Sequence, residues 1–306
     1  MLDGILPVFK EKGMTSHDVV FKLRKILQMK KIGHSGTLDP EVDGVLLILL
    51  GNSTKVSDYA MNLGKSYKAE VCLGLSTTTE DISGDIVEEV RLGQITAEEI
   101  KNACSKLIGR ITQIPPIYSA VKVKGKKLYE YARNGNFDVE RPSREVYIHS
   151  IKLDEASIVN KKSRIYFTIN VHCGKGVYIR TIATQIGELL NVPSCMSSLR
   201  RTSSGKITIE NCYTLKQISE MTKEEISQIL YKKEYALESY KFYELPKYRA
   251  KQVMNGLRFR KNQFSELDFT EGIVFTYEGD AIAIYHLRDK NDELLSVKTT
   301  FPKEIS

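Results

Sequence analysis

The sequence predicts an α+β protein: a mixed, mostly antiparallel central sheet flanked by helices and loops, with a small C-terminal β domain. Two observations carry this. Segments of period two and segments of helical period are interleaved irregularly, without the regular alternation of a parallel βαβ array. After about residue 234 the texture changes to short apolar runs divided by turns. The 306 residues suffice for one large and one small domain, expected at 1–233 and 234–306.

Thr15 and Asp18 form a capping box, and Val19, Val20, Leu23, Ile26 and Leu27 follow at helical spacing, so a helix is predicted over 16–29. Gly33 to Gly44 reads as a Gly-rich loop. Val45–Leu50 is a continuous apolar run closed by Gly51, which suits a strand buried on both faces. A short helix is predicted over 52–63. Tyr67, Ala69, Val71 and Leu73 alternate with Lys68, Glu70 and Cys72, the pattern of a half-buried strand. Thr96 and Glu99 cap a helix that runs to about Ile108 and ends at Gly109. Ile165, Phe167, Ile169 and Val171 alternate again. A turn at Cys173–Gly176 and a helix over 178–190 follow. Thr222 and Glu225 open a further short helix. Short strands are expected over 273–277, 281–285 and 294–297.

Composition narrows the function only coarsely. A formal charge of +7 permits an anionic partner such as RNA without requiring one. Five cysteines without a C-x-x-C pair read as reduced thiols in a cytoplasm. No signal segment is seen, and no apolar run approaches the ~18 residues of a membrane span, so a cytosolic protein is expected. Gly64-Lys65-Ser66 imitates the end of a phosphate-binding loop, but Tyr59 stands where the first glycine belongs. The histidines lack metal-ligand spacing, and no metal or cofactor is expected.

The informative stretch is Gly33-His34-Ser35-Gly36-Thr37-Leu38-Asp39-Pro40. Two glycines free the backbone before Asp39, Pro40 stiffens it afterwards, and a buried strand follows. This holds one carboxylate at the end of a sheet, a common place for an active site. By itself the stretch also reads as a plain surface turn with a capping aspartate. Other segments remove that ambiguity. Lys12-Gly13-Met14-Thr15-Ser16 precedes it. Lys65-Ser66-Tyr67-Lys68-Ala69, Leu73-Gly74, Asp81 and Gly84 follow, then Gln113 to Lys122, Gly125 to Arg133, Gly176 to Thr181 and Leu199 to Thr202. In this order, over about residues 4–205, they resemble the TruB family of tRNA pseudouridine synthases. Lys10-Glu11, Leu47, Thr78 and Gln185 depart from the family pattern. None of these is the nucleophile.

The resemblance implies a pseudouridine synthase fold and a reaction that breaks the N-glycosidic bond of a uridine, turns the base over and rejoins it through carbon. It implies Asp39 as nucleophile, Arg180 as the cation beside it, and Tyr67 stacked on the uracil. His34 is implied to fill the space left by an everted base, Asp81 and Tyr178 to support the pocket, and Lys126 and Lys127 to contact RNA. The implied substrate is uridine 55 in the T arm of tRNA. A small PUA-like RNA-binding domain is implied after residue 234. A dry pocket would push a carboxylate toward its neutral form, and a guanidinium beside it offsets that. The alternative is a non-catalytic RNA-binding or tRNA-folding protein on the same scaffold; the retained Asp39, Tyr67 and Arg180 argue against it. The absence of a long basic tail favours a stand-alone enzyme over a guide-dependent one, and a monomer is expected.

Overall fold

The computed structural model describes residues 2–289 and 292–305. The first half of the main sheet is built from β1 (Gly4–Lys10), β2 (Ile32–His34), β3 (Asp43–Leu50) and β4 (Lys65–Leu73). Helix α1 (Ser16–Ile26) lies between β1 and β2, and α2 (Ser57–Asn62) between β3 and β4. A hairpin, β5 (Leu75–Thr77) and β6 (Ile86–Glu89), leads to α3 (Ala97–Lys106) and β7 (Gly109–Gln113). A second hairpin, β8 (Lys122–Val123) and β9 (Lys126–Lys127), leads to α4 (Leu128–Arg133). The long strands β10 (Arg144–Lys161) and β11 (Arg164–Cys173) precede α5 (Ile179–Leu190) and β12 (Ser194–Ser204).

Apart from the two hairpins, these strands form one sheet in the order β1-β3-β12-β4-β11-β10-β7, with β2 added on β3. Among these pairings only the contact of β12 with β3 is parallel, at Arg200 with Asp43 and Arg201 with Gly44. Gly44 permits it: a Cβ there would stand 2.1 Å from the Arg201 carbonyl oxygen. The expected mixed, mostly antiparallel sheet is therefore present.

The apolar run of β3 is buried on both faces, as its composition requires. Val45, Leu47 and Leu49 face one cluster, and Leu46 and Ile48 face another with Val19, Val20 and Leu23 of α1. Tyr67, Ala69 and Val71 of β4 face Ile179, Ile182, Ala183 and Ile186 of α5. That period-two face meeting a helical stripe fixes the start of α5 against the sheet.

Several expectations need correction. The first helix ends at Ile26 rather than 29, because Gln28 turns left-handed at φ 51°. The loop expected from Gly33 to Gly44 is shorter, since Ile32–His34 pairs with β3 and Asp43 already belongs to that strand. Residues 51–56 form a 3₁₀ turn before α2. Tyr178 is the cap of its helix, not its first residue.

The C-terminal strands β13 (Lys241–Glu244), β14 (Ile273–Tyr277), β15 (Asp280–His286) and β16 (Ser296–Thr300) form a separate sheet in chain order. Phe259, Phe264, Phe269, Phe275 and Tyr285 fill its own core. Its other face packs on the main sheet through Val274, Ala281 and Ile284 against Val45, Leu47 and Leu49. Among the described residues no helix is long and apolar enough to cross a membrane.

Candidate active site

The Asp39 loop is pinned from both sides. The Ser16 hydroxyl, at the start of α1, accepts from Leu38 N at 2.8 Å, and Gly13 N donates to Pro40 O at 2.9 Å. Ser35 N donates to Leu47 O at 3.0 Å. Gly36 takes φ +98°, a turn that a side chain would resist. Leu38 is thereby buried in the core while the next side chain, Asp39, faces out. The Asp39 side chain is 47% exposed, so in the free protein its carboxylate is not in the water-poor cleft anticipated from the sequence.

Arg180 holds that carboxylate. Its Nη2 lies 3.1 Å from Asp39 Oδ2, and its side chain is only 7% exposed. It occupies the first turn of α5, where the helix dipole disfavours a cation. Four acceptors offset this. Nη1 donates to Thr79 O at 3.0 Å and Nη2 to Tyr118 O at 2.9 Å. Asp39 supplies the third, and Asp81 Oδ2 stands 3.8 Å from Nη1. Asp81 is itself fixed, its Oδ1 accepting from the Thr79 hydroxyl at 2.8 Å and from Ser83 N at 3.0 Å. A helix-surface arginine would show none of this. The planar fork is used on every side, which a lysine cannot reproduce.

Tyr67 lies at the same place, buried on β4 next to the loop, where Asp39 is one of the charges acting on its hydroxyl. Burial pushes the phenol pKa up, and the nearby Arg201 guanidinium partly counters it. Asp39, Arg180, Tyr67 and Asp81 thus converge from four different segments. His34, at the end of β2, turns Nδ1 to Gly36 O at 3.2 Å, and burial lowers its pKa. The imidazole is therefore neutral at neutral pH.

Tyr178, Lys126 and Lys127 lie outside the Arg180–Asp39 contact. The Tyr178 hydroxyl makes no side-chain hydrogen bond among the described residues. Its ring is instead covered by the Arg144 guanidinium at 4.5 Å, and its backbone is held by Gln113 through both N–H and C=O. Lys126 and Lys127 do not reach the Asp39 carboxylate. They occupy a hairpin whose two-residue turn, Lys124 and Gly125, has positive φ at both positions, as a type I′ turn requires. Lys127 Nζ stands 5.4 Å over the Tyr129 ring. The hairpin is linked to the site because Tyr129 N donates to Ser119 O, next to the Tyr118 carbonyl that binds Arg180.

Behind the loop lies a group of buried cations not singled out from the sequence as site residues: Lys10, Lys65 and Arg201. Lys10 Nζ bonds to Glu11 O and Pro40 O, and burial lowers its pKa. Lys65 Nζ bonds to Met61 O and Leu63 O, and burial with Arg201 nearby brings its pKa down to about 8. Between about pH 8 and 10.5 the unfolded chain keeps a proton that the folded one has lost, so stability contributed at Lys65 rises with pH. Relative to Lys65→Met, the wild type should gain on the order of 3 kcal/mol across that window. Denaturant titration of both proteins at the two ends checks it; curves that stay parallel would refute the assignment. A separate groove of about 320 Å³, between Lys12, Asp43, Lys68 and Arg200, carries charges of both signs and holds neither Tyr67 nor Arg180. Among the described residues no cluster of His, Cys, Asp or Glu is arranged to bind a metal ion.

The model of the TruB family pseudouridylate synthase N-terminal domain matches residues 24–179, and that of the tRNA pseudouridylate synthase B C-terminal domain matches 180–238. The chain belongs to the TruB family. It is a pseudouridine synthase, an isomerase. The tRNA pseudouridine synthase B of Listeria innocua is 48% identical over 294 residues, covering 96% of each chain. That of Staphylococcus aureus is 46% identical, covering 98% of this chain and all of the relative. A chain of a Cbf5-Nop10-Gar1 complex superposes with a TM-score of 0.71 at 23% identity, over 98% of this chain and 85% of that one. At that identity the likeness speaks to the fold, and it supports the pseudouridine synthase fold expected from the sequence. The TruB models split at Arg180, so each contributes part of the site.

Proposed function

We propose that this TruB protein isomerises uridine 55 in the T arm of tRNA, alone and without a guide RNA, using Asp39 as nucleophile. The observation that carries the reading is the 3.1 Å contact between Arg180 and Asp39 beside the buried Tyr67 ring. The glycosidic C1′–N1 bond breaks, a C1′–C5 bond forms, the hydrogen on carbon 5 is lost and N1 gains one. Atoms and oxidation state balance without a cofactor. Asp39 holds one fragment while the base turns. The target base is everted into the site at a cost of a few kcal/mol, offset by stacking on Tyr67 and by edge contacts. His34, neutral and beside the loop, fills the space that the base vacates. The half-exposed Asp39 supports this reading, because an open carboxylate is accessible to a base brought from outside.

RNA contact is assigned to the Lys126–Lys127 hairpin and to the C-terminal region, 234–306, read as a PUA-like module. The protein is expected to act in the cytoplasm as a monomer. Replacing Lys126 and Lys127 together by Gln should lower the slope of log affinity against log salt by roughly 1 to 2. Filter binding across a salt series measures it, and an unchanged slope would remove the hairpin from the interface.

The reading as a whole is tested with purified protein and an unmodified tRNA transcript. Mapping should find pseudouridine at position 55 only, and a transcript with cytidine there should remain unmodified. Modification at another position, or a requirement for a second RNA, would overturn the proposal.

A further inference from the structure

Arg201 is among the largest fully buried side chains of the protein, 1% exposed, yet no carboxylate pairs with it among the described residues. Burying an unpaired guanidinium is costly, so its retention calls for a reason. Its Nε donates to Val45 O at 2.6 Å, while Nη2 is buried with no hydrogen-bond partner. It lies where three strands meet: parallel to Gly44 of β3, and directly across from Tyr67 of β4. Cross-strand partners project to the same face, so the guanidinium and the phenol are neighbours. Groups near one or both of them include Asp39 and His34 from the loop region, Lys10, Lys65 from β4 and Cys173 from β11. The Asp39 loop passes close to the guanidinium: a Cβ at Gly36 would stand in ordinary contact with Arg201 Nη1, at 3.8 Å.

We propose that Arg201 is a positioning residue for the isomerisation, acting through Tyr67. The inference rests on the reaction proposed above. Fixed from behind by Val45 O, the guanidinium draws the lone pair of the Tyr67 oxygen toward itself. The hydroxyl hydrogen is then directed outward, to the side of Asp39 and the incoming base. The ring is held at one depth, so that it meets the base face in one orientation. The adjacent Arg200 cannot serve, because it points to the opposite side of the strand and forms a bidentate pair with Asp43 at 2.7 and 2.8 Å.

A double-mutant cycle tests this. Arg201→Gln should slow single-turnover conversion by about 10²-fold while tRNA affinity stays within about threefold, and Arg201→Lys should recover to within about tenfold. In a Tyr67→Phe background, Arg201→Gln should cost less than about threefold. A full loss in that background, or a wild-type rate for Arg201→Gln, would overturn the proposal. A second readout needs neither RNA nor turnover. In protein labelled with 3-fluorotyrosine, the Tyr67 fluorine resonance, identified by its absence from Tyr67→Phe, should shift more than any other in Arg201→Lys. An unmoved Tyr67 signal would contradict the inference, and this measurement remains available if Arg201→Gln fails to fold. A wild-type protein that converts no tRNA would instead count against the proposed reaction.

Discussion

Asp39→Asn should bind tRNA with nearly wild-type affinity and convert it at least about 10⁴-fold more slowly. The amide keeps the shape of the side chain and removes the nucleophilic charge. Because the side chain is half exposed and the loop is held by backbone contacts to Ser16, Gly13 and Leu47, the fold should survive. Single-turnover assays with saturating protein, beside a thermal melt, separate the two effects. A conversion rate within tenfold of wild type would exclude Asp39 as the nucleophile.

Arg180→Met should lose both stability and activity. The side chain is buried, and its removal leaves the carbonyls of Thr79 and Tyr118 without donors and Asp81 without its cation. Breaking one side of a buried charge network costs about 3 to 5 kcal/mol. Arg180→Lys keeps the charge but reaches fewer of the four acceptors. It should lie between the two in stability and should still be slower than wild type by about 10²-fold, the scale set by a misplaced reacting group. Denaturant unfolding and single-turnover conversion measured on the same preparations check the pair. Full activity in Arg180→Met would show that the guanidinium is dispensable to the chemistry.

Much of the candidate site was legible in the sequence because motif residues carried it: Arg180 contacts Asp39 and Asp81, and Tyr67 is buried beside their loop. Strand β4 was legible from strict alternation, and β3 from an unbroken apolar run. Strand β12 was not. Its polar sequence, SCMSSLRRTSS, crosses the centre of the sheet with two bulges, between Met196 and Ser198 and between Arg201 and Ser203, and each shifts the inward parity. That hid Arg201 as an inward-facing cation. Strand β10 fails for a similar reason, since a bulge after Ile148 moves the buried position to Ile151. Pro7 disguised β1, which tolerates it because the strand lies at the sheet edge. The cover of the Tyr178 ring was not legible either, because Arg144, which supplies it, is far away in sequence.

The most direct test of the central claim follows the hydrogen on carbon 5. A tRNA transcript tritiated at carbon 5 of its uridines is mixed with excess purified protein and no other RNA. The wild type should release one equivalent of tritium per tRNA into water, and Asp39→Asn should release none. Release by Asp39→Asn at the wild-type rate, or no release by the wild type, would contradict an aspartate-driven isomerisation held in place by Arg180.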